Sequence, residues 1–191
     1  MNIIIGGAMR TGKTLVADAL SRRTGFPYLG TDSLILALRD CFPETAVAQK
    51  GKSFDELCEA FIPFLNRYLH HAGVAGRGSH IVEGHFIRPK DVSQLAANTS
   101  AVFFGYPEAD PQEKLQQLKT YAAASSQEGG EVDEDEKLLK QINRWIDLSR
   151  DLRDQCNQFD ILFVDTSHQD VSHCNSNMEL LYRALGLNIK A

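Results

Sequence analysis

Residues 7–14 read Gly7-Ala8-Met9-Arg10-Thr11-Gly12-Lys13-Thr14, the G-x-x-x-x-G-K-[ST] spacing of a phosphate-binding P-loop. The spacing has a mechanism. The glycines let backbone N–H groups turn inward around a polyphosphate, the lysine reaches the β- and γ-phosphates, and the threonine hydroxyl ligates Mg²⁺. Asn2-Ile3-Ile4-Ile5, before the loop, is a short apolar run that suits a buried parallel strand. The stretch from Leu15 to Leu20 suits a helix whose N-terminus faces the phosphates. The nucleotide cradle expected from this pattern therefore runs from Gly7 through Leu15, with Lys13 as its catalytic cation and Thr14 as a metal ligand.

Outward from this unit, apolar runs alternate with helical patterns. Residues 26–29 read as a second strand, and residues 31–40 as a helix with Thr31 or Asp32 placed to cap it. Residues 53–69 form a stronger helix: Ser53 and Glu56 make a capping box, and Leu57, Phe61, Phe64, Leu65 and Tyr68 give the apolar stripe. Pro63 lies inside that stripe, and a kink or break is expected there. Residues 80–82, 101–104 and 161–164 read as three further strands, and residues 135–158 as a long helix. This alternation predicts a parallel α/β sheet with helices on both faces. Ligands of such sheets bind beyond the carboxyl ends of the strands, where Gly7, Asp32, Glu83, Tyr106 and Asp165 should gather.

The remaining properties set bounds. A chain of 191 residues suits a single domain, residues 1–191. A net charge of −5 argues against a general nucleic-acid binder. The four cysteines are widely spaced and read as reduced thiols rather than a disulfide or zinc framework. No apolar run approaches the ~20 residues that span a bilayer, so no membrane partner is expected and the chain reads as cytoplasmic. Residues 125–136 contain Gly129-Gly130 and six acids; they are either a solvated loop or part of a mobile lid.

The P-loop at the N-terminus, the Gly30-Thr31-Asp32 tripeptide, the strand-end Glu83-Gly84 pair and the lid-like insertion at about residues 120–136 together resemble the P-loop kinases of the adenylate kinase, shikimate kinase and gluconate kinase group. The pieces Tyr28-Leu29-Gly30-Thr31-Asp32 and Ile81-Val82-Glu83-Gly84-His85 look most like 2-phosphoglycerate kinase and its relatives. The resemblance implies a P-loop three-layer sandwich, with a five-stranded parallel sheet of order 2-3-1-4-5. It also implies a requirement for ATP and Mg²⁺ and transfer of a phosphoryl group to a small acceptor.

Within that reading, Asp32 would contact the acceptor hydroxyl as a base or an orienting group; otherwise it is a helix cap. Glu83 would anchor the metal, or else fix the glycine turn or pair with Arg88. His85 either faces the pocket or lies in an exposed loop. Arg88 has the planar fork that matches a phosphate or carboxylate, which favours an anionic acceptor; the alternative is a surface arginine. Lid arginines stabilise the transferring phosphoryl in the resembled kinases. Here the lid-like stretch carries acids, which leaves the helix arginines, Arg150 among them, as candidates beside Arg144 and Arg153. Asp147, Asp151 and Asp154 surround them as salt-bridge partners. The resemblance puts adenine near Asp165-Thr166-Ser167-His168. Three functions compete: a small-molecule kinase, an ATP-binding regulatory module, and a nucleoside, nucleotide or nucleic-acid end kinase.

Overall fold

A computed structural model describes residues 1–47, 51–76, 78–95, 98–124 and 132–168, together with 181, 182 and 185. Five parallel strands form one sheet in the order β2-β3-β1-β4-β5, as the resemblance implies. They are β1 (Asn2–Gly7), β2 (Tyr28–Gly30), β3 (Ile81–Glu83), β4 (Thr99–Gly105) and β5 (Leu162–Asp165). The helices are α1 (Lys13–Thr24), α2 (Thr31–Cys41), α3 (Phe54–Val74), α4 (Pro111–Ala124) and α5 (Val132–Phe159), with a 3-10 helix at Pro89–Gln94.

The central strand shows why its sequence is apolar without alternation. Ile3, Ile4 and Ile5 are all fully buried. Their side chains alternate between faces, and both faces are covered. Ile4 packs with Ile35, Phe61, Leu65 and Leu69 from α2 and α3, whereas Ile3 and Ile5 pack with Val16, Ala17 and Leu20 from α1 and with Leu181 and Leu185. A third cluster joins α4 to α5 through Leu115, Leu118, Ile142 and Ile146, beside Ala8 and Tyr106. The Lys119–Asp135 ion pair, at 2.7 Å, also ties these two helices.

Two local expectations need correction. Pro63 does not end its helix: α3 runs through it for 21 residues, held by its buried stripe and by the Ser53–Glu56 capping box, whose two hydrogen bonds are 3.3 and 2.8 Å. The N-cap of α2 is Gly30, with no side-chain cap, and Asp32 stands in the first turn. Most of the acidic, lid-like segment lies outside the described residues.

Candidate active site

The P-loop joins β1 to α1. Gly12 serves as the N-cap of α1 in the left-handed conformation, φ 84°, a backbone that a side chain would strain. No side chain caps α1, and its first turn carries no acid. Its terminal amides and helix dipole therefore offer an anion-binding end. The loop is held from below. Ala8 N–H donates to the Phe104 carbonyl at 2.9 Å, and the Tyr106 hydroxyl donates to the Met9 carbonyl at 3.0 Å. Gly7 pairs with β4, Ala8 is fully buried, and residues 9–15 line the pocket.

Lys13 bends back over this loop. Its ammonium donates to the Ala8 carbonyl at 2.6 Å, and Thr11 Oγ1 lies 3.5 Å away. Burial pulls the Lys13 pKa below the ordinary lysine range, while Glu83 and Asp32 act in the opposite direction. The three charges thus share one site although they come from α1, α2 and β3. The pocket above them has a volume of about 310 Å³ and is lined by residues 9–15, Asp32, Glu83 and Tyr121.

Glu83 is buried at the end of β3. Its Oε2 accepts from the Tyr28 hydroxyl at 2.9 Å and lies 3.4 Å from the Thr14 hydroxyl. Burial and the Glu83 charge raise the Tyr28 pKa, which keeps the phenol protonated and donating. Asp32 Oδ1 accepts from the His85 backbone N–H at 3.3 Å, so this carboxylate turns toward the end of β3 rather than capping its own helix. Gly84 makes the approach possible: a Cβ there would overlap Thr31 Oγ1 and come within 3.2 Å of Asp32 Oδ1.

The His85 ring lies beside the pocket, with Nδ1 3.4 Å from the Gly7 carbonyl and Phe54 of α3 at 4.8 Å between ring centroids. A carbonyl only accepts, so Nδ1 carries the proton in this contact and Nε2 is left as an acceptor. Burial, reinforced by the Lys13 charge, lowers the His85 pKa to about 4, and the ring is neutral near pH 7.

The structure does not bring the expected arginines here, apart from Arg10. Arg88 is buried and points into the protein. Its Nε and one terminal nitrogen grip Asp91 at 2.8 and 2.9 Å, and its other terminal nitrogen meets Asp55 and Glu59 of α3. It pairs with these acids, not with Glu83. Arg150 donates to the Pro107 carbonyl at 3.1 Å and pairs with Asp147 at 2.8 Å, away from the pocket lining. Arg153 pairs with Glu108, and Arg144 is exposed. The loop after β5 is stitched to the loop after β4: Thr166 N–H donates to the Gly105 carbonyl at 2.7 Å, and Glu108 N–H donates to Ser167 Oγ at 3.0 Å.

Tyr28, Phe54 and Tyr121 were not among the site residues expected from sequence. Tyr28 stands in the strand before the tripeptide, which was its only signal. Nothing in the sequence linked Phe54 or Tyr121 to the P-loop.

The donor set bears on a metal. Among the described residues, no group of three or more His, Cys, Asp or Glu side chains could hold an ion. One hydroxyl and one carboxylate do converge, at Thr14 and Glu83. That arrangement fits magnesium, which keeps most of its water and phosphate oxygens and takes few protein ligands. No helix among the described residues is long and apolar enough to cross a membrane.

No protein-family profile matches the chain, and no curated protein matches it. Solved structures do. A shikimate kinase from Bacteroides thetaiotaomicron is 18% identical with a TM-score of 0.56, the alignment covering 98% of this chain and 99% of that one. A gluconokinase from Sinorhizobium meliloti 1021 is 14% identical with a TM-score of 0.55, covering 98% and 93%. An uncharacterized protein from Eubacterium ventriosum ATCC 27560 is 13% identical with a TM-score of 0.54, covering 97% and 98%. At these identities the likeness is one of fold: the chain has the α/β P-loop architecture that shikimate kinase and gluconokinase share.

Proposed function

We propose that this chain is a kinase that transfers the γ-phosphoryl group of Mg-ATP to a hydroxyl of a small metabolite. The reading is carried by one observation: the P-loop wall, Asp32 and Glu83 meet in a single pocket with Lys13 buried at its edge. Bound Mg-ATP would supply the phosphoryl group and the metal charge. Phosphoryl transfer then asks the protein mainly for positioning and charge neutralisation. The α1 terminus and the loop amides bind the phosphates. With nucleotide bound, Lys13 would turn from the Ala8 carbonyl to phosphate oxygen, and Thr14 and Glu83 would hold the magnesium. Asp32, aimed by the His85 amide, orients the acceptor hydroxyl and takes its proton. Neutral His85, packed between Phe54 and the Gly7 carbonyl, adds no charge beside the loop.

The sequence pointed to an anionic acceptor through Arg88. With Arg88 turned into the protein, Arg10 and Lys13 are the cations among the described residues lining the pocket, and a negative charge on the acceptor would be met there. The test is Mg-ATP-dependent ADP release across phosphoglycerates, sugar acids, shikimate-like alcohols, nucleosides, nucleoside monophosphates and a 5′-hydroxyl oligonucleotide, with Lys13→Ala as the blank. The expected outcome is acceptor-dependent release with one class and none from Lys13→Ala. Silence across the panel with ATP still bound would favour a nucleotide-binding regulatory module.

A further inference from the structure

A second cavity, of about 400 Å³, opens against the C-terminal half of α3. It shares no lining residue with the P-loop pocket. It also lies at the other end of the sheet. His80, on its floor, precedes β3, whereas Glu83 ends that strand. Likewise α3 begins with Phe54, packed on His85, and reaches the cavity at Phe64, roughly 15 Å along its axis. The lining follows one helical face: Phe64, Arg67 and Tyr68, then His71 a turn later.

Three features of this cavity point to one kind of ligand. Its walls include two aromatic rings, Phe64 and Tyr68, with the Tyr68 ring edge-on to His80 at 6.0 Å. Arg67 and His71, one turn apart and exposed, have no ion-pair or hydrogen-bond partner for their side chains among the described residues, in a chain of net charge −5. His80 is only 4% exposed, its backbone N–H and carbonyl are both engaged, and its Nδ1 has no partner. Buried ring nitrogens normally find one, and none of the described residues supplies it. Among the described lining residues Arg67 is the one permanent cation, and beside two imidazoles it balances one negative charge better than the two of a phosphate monoester. The rings call for a flat apolar body, and the volume accommodates one or two fused rings.

We infer that this cavity is a second binding site, separate from the P-loop pocket, for a small planar aromatic carboxylate. Arg67 and His71 receive the carboxylate, and Phe64 and Tyr68 flank the rings.

The test uses the full chain and 2-naphthoate as the probe, titrated by calorimetry while the histidine signals are followed by NMR. The expected result is saturable one-to-one binding that shifts the His71 and His80 signals. That binding persists with saturating Mg-ATP and in Lys13→Ala, and weakens about tenfold or more in Arg67→Ala and for the neutral 2-naphthamide. Because Arg67 is exposed, its replacement leaves the core untouched, and a thermal melt verifies the fold. No saturable binding at millimolar probe, equal binding of 2-naphthamide, undiminished binding to Arg67→Ala, or displacement by Mg-ATP would each overturn the assignment.

Discussion

The Thr14 hydroxyl lies 3.4 Å from Glu83 Oε2, although 69 positions separate the two residues in the chain. A P-loop hydroxyl and a strand-end carboxylate that approach this closely can share one ion. Thr14→Ala and Glu83→Gln should each raise the Mg²⁺ concentration for half-maximal ADP release by about tenfold or more, the scale typical of damage around a metal. The double variant should lose less than the sum, because neighbours that serve one ion are not independent. Unchanged Mg²⁺ dependence in both single variants would remove the pair from the metal site.

His85 gives the fold a dependence on acid. Its folded pKa is about 4, lowered by burial and by Lys13, against about 6.5 in an unfolded chain. Between those values the unfolded state binds a proton that the folded state refuses, so stability falls as pH falls through the window. From pH 6.5 to 5 the wild type should lose about 1.5 kcal/mol more than His85→Gln. Urea melts of both proteins in metal-free buffer measure this. Parallel losses would mean that the imidazole is solvated in the folded state.

Arg88 separates a structural role from a substrate role. Its guanidinium is held in a bidentate pair by Asp91, both side chains being 2% exposed, and it also meets Asp55 and Glu59 at the start of α3. Arg88→Ala leaves the Asp91 carboxylate buried and unpaired, at a cost of about 3–5 kcal/mol. The expected result is a large fall in melting temperature. A protein of normal stability with a raised acceptor KM would instead return Arg88 to the substrate.

These placements show what the sequence could and could not convey. The sheet order was legible only through the family resemblance, whereas the meeting of Lys13, Thr14, Asp32 and Glu83 was legible from the residues, because the P-loop fixes one strand–helix unit and parallel topology brings the other strand ends beside it. The fate of Arg88 was not. A guanidinium before a proline looks the same whether it faces solvent or Asp91, and only the docking of α3 on the 3-10 helix chooses. Asp32 was ambiguous for a similar reason. A carboxylate at a helix start suits capping, and the choice falls on Gly84, whose missing side chain lets the β3 loop close on Thr31 and offer the His85 amide. Tyr121 enters from a helix with no local signal of contact with the P-loop.

The same glycine gives a prediction that isolates Asp32 without touching its carboxylate. Thr31 is fully buried and cannot withdraw into solvent. A methyl group at position 84 would overlap its hydroxyl and crowd Asp32 Oδ1, so Gly84→Ala must push the start of α2 away from the His85 amide. Overpacking of this kind costs about 1–3 kcal/mol of stability. Because the P-loop is built from β1 and α1, ATP affinity should stay near normal while turnover falls. Asp32→Asn should do the same, lowering transfer by about a hundredfold or more if the carboxylate accepts the proton of the acceptor. Binding of a fluorescent ATP analogue, read beside single-turnover rates for both variants, provides the comparison. If Gly84→Ala folds, binds nucleotide and turns over at the wild-type rate, the aim of Asp32 does not matter to the chemistry, and the carboxylate returns to a structural role at the start of α2.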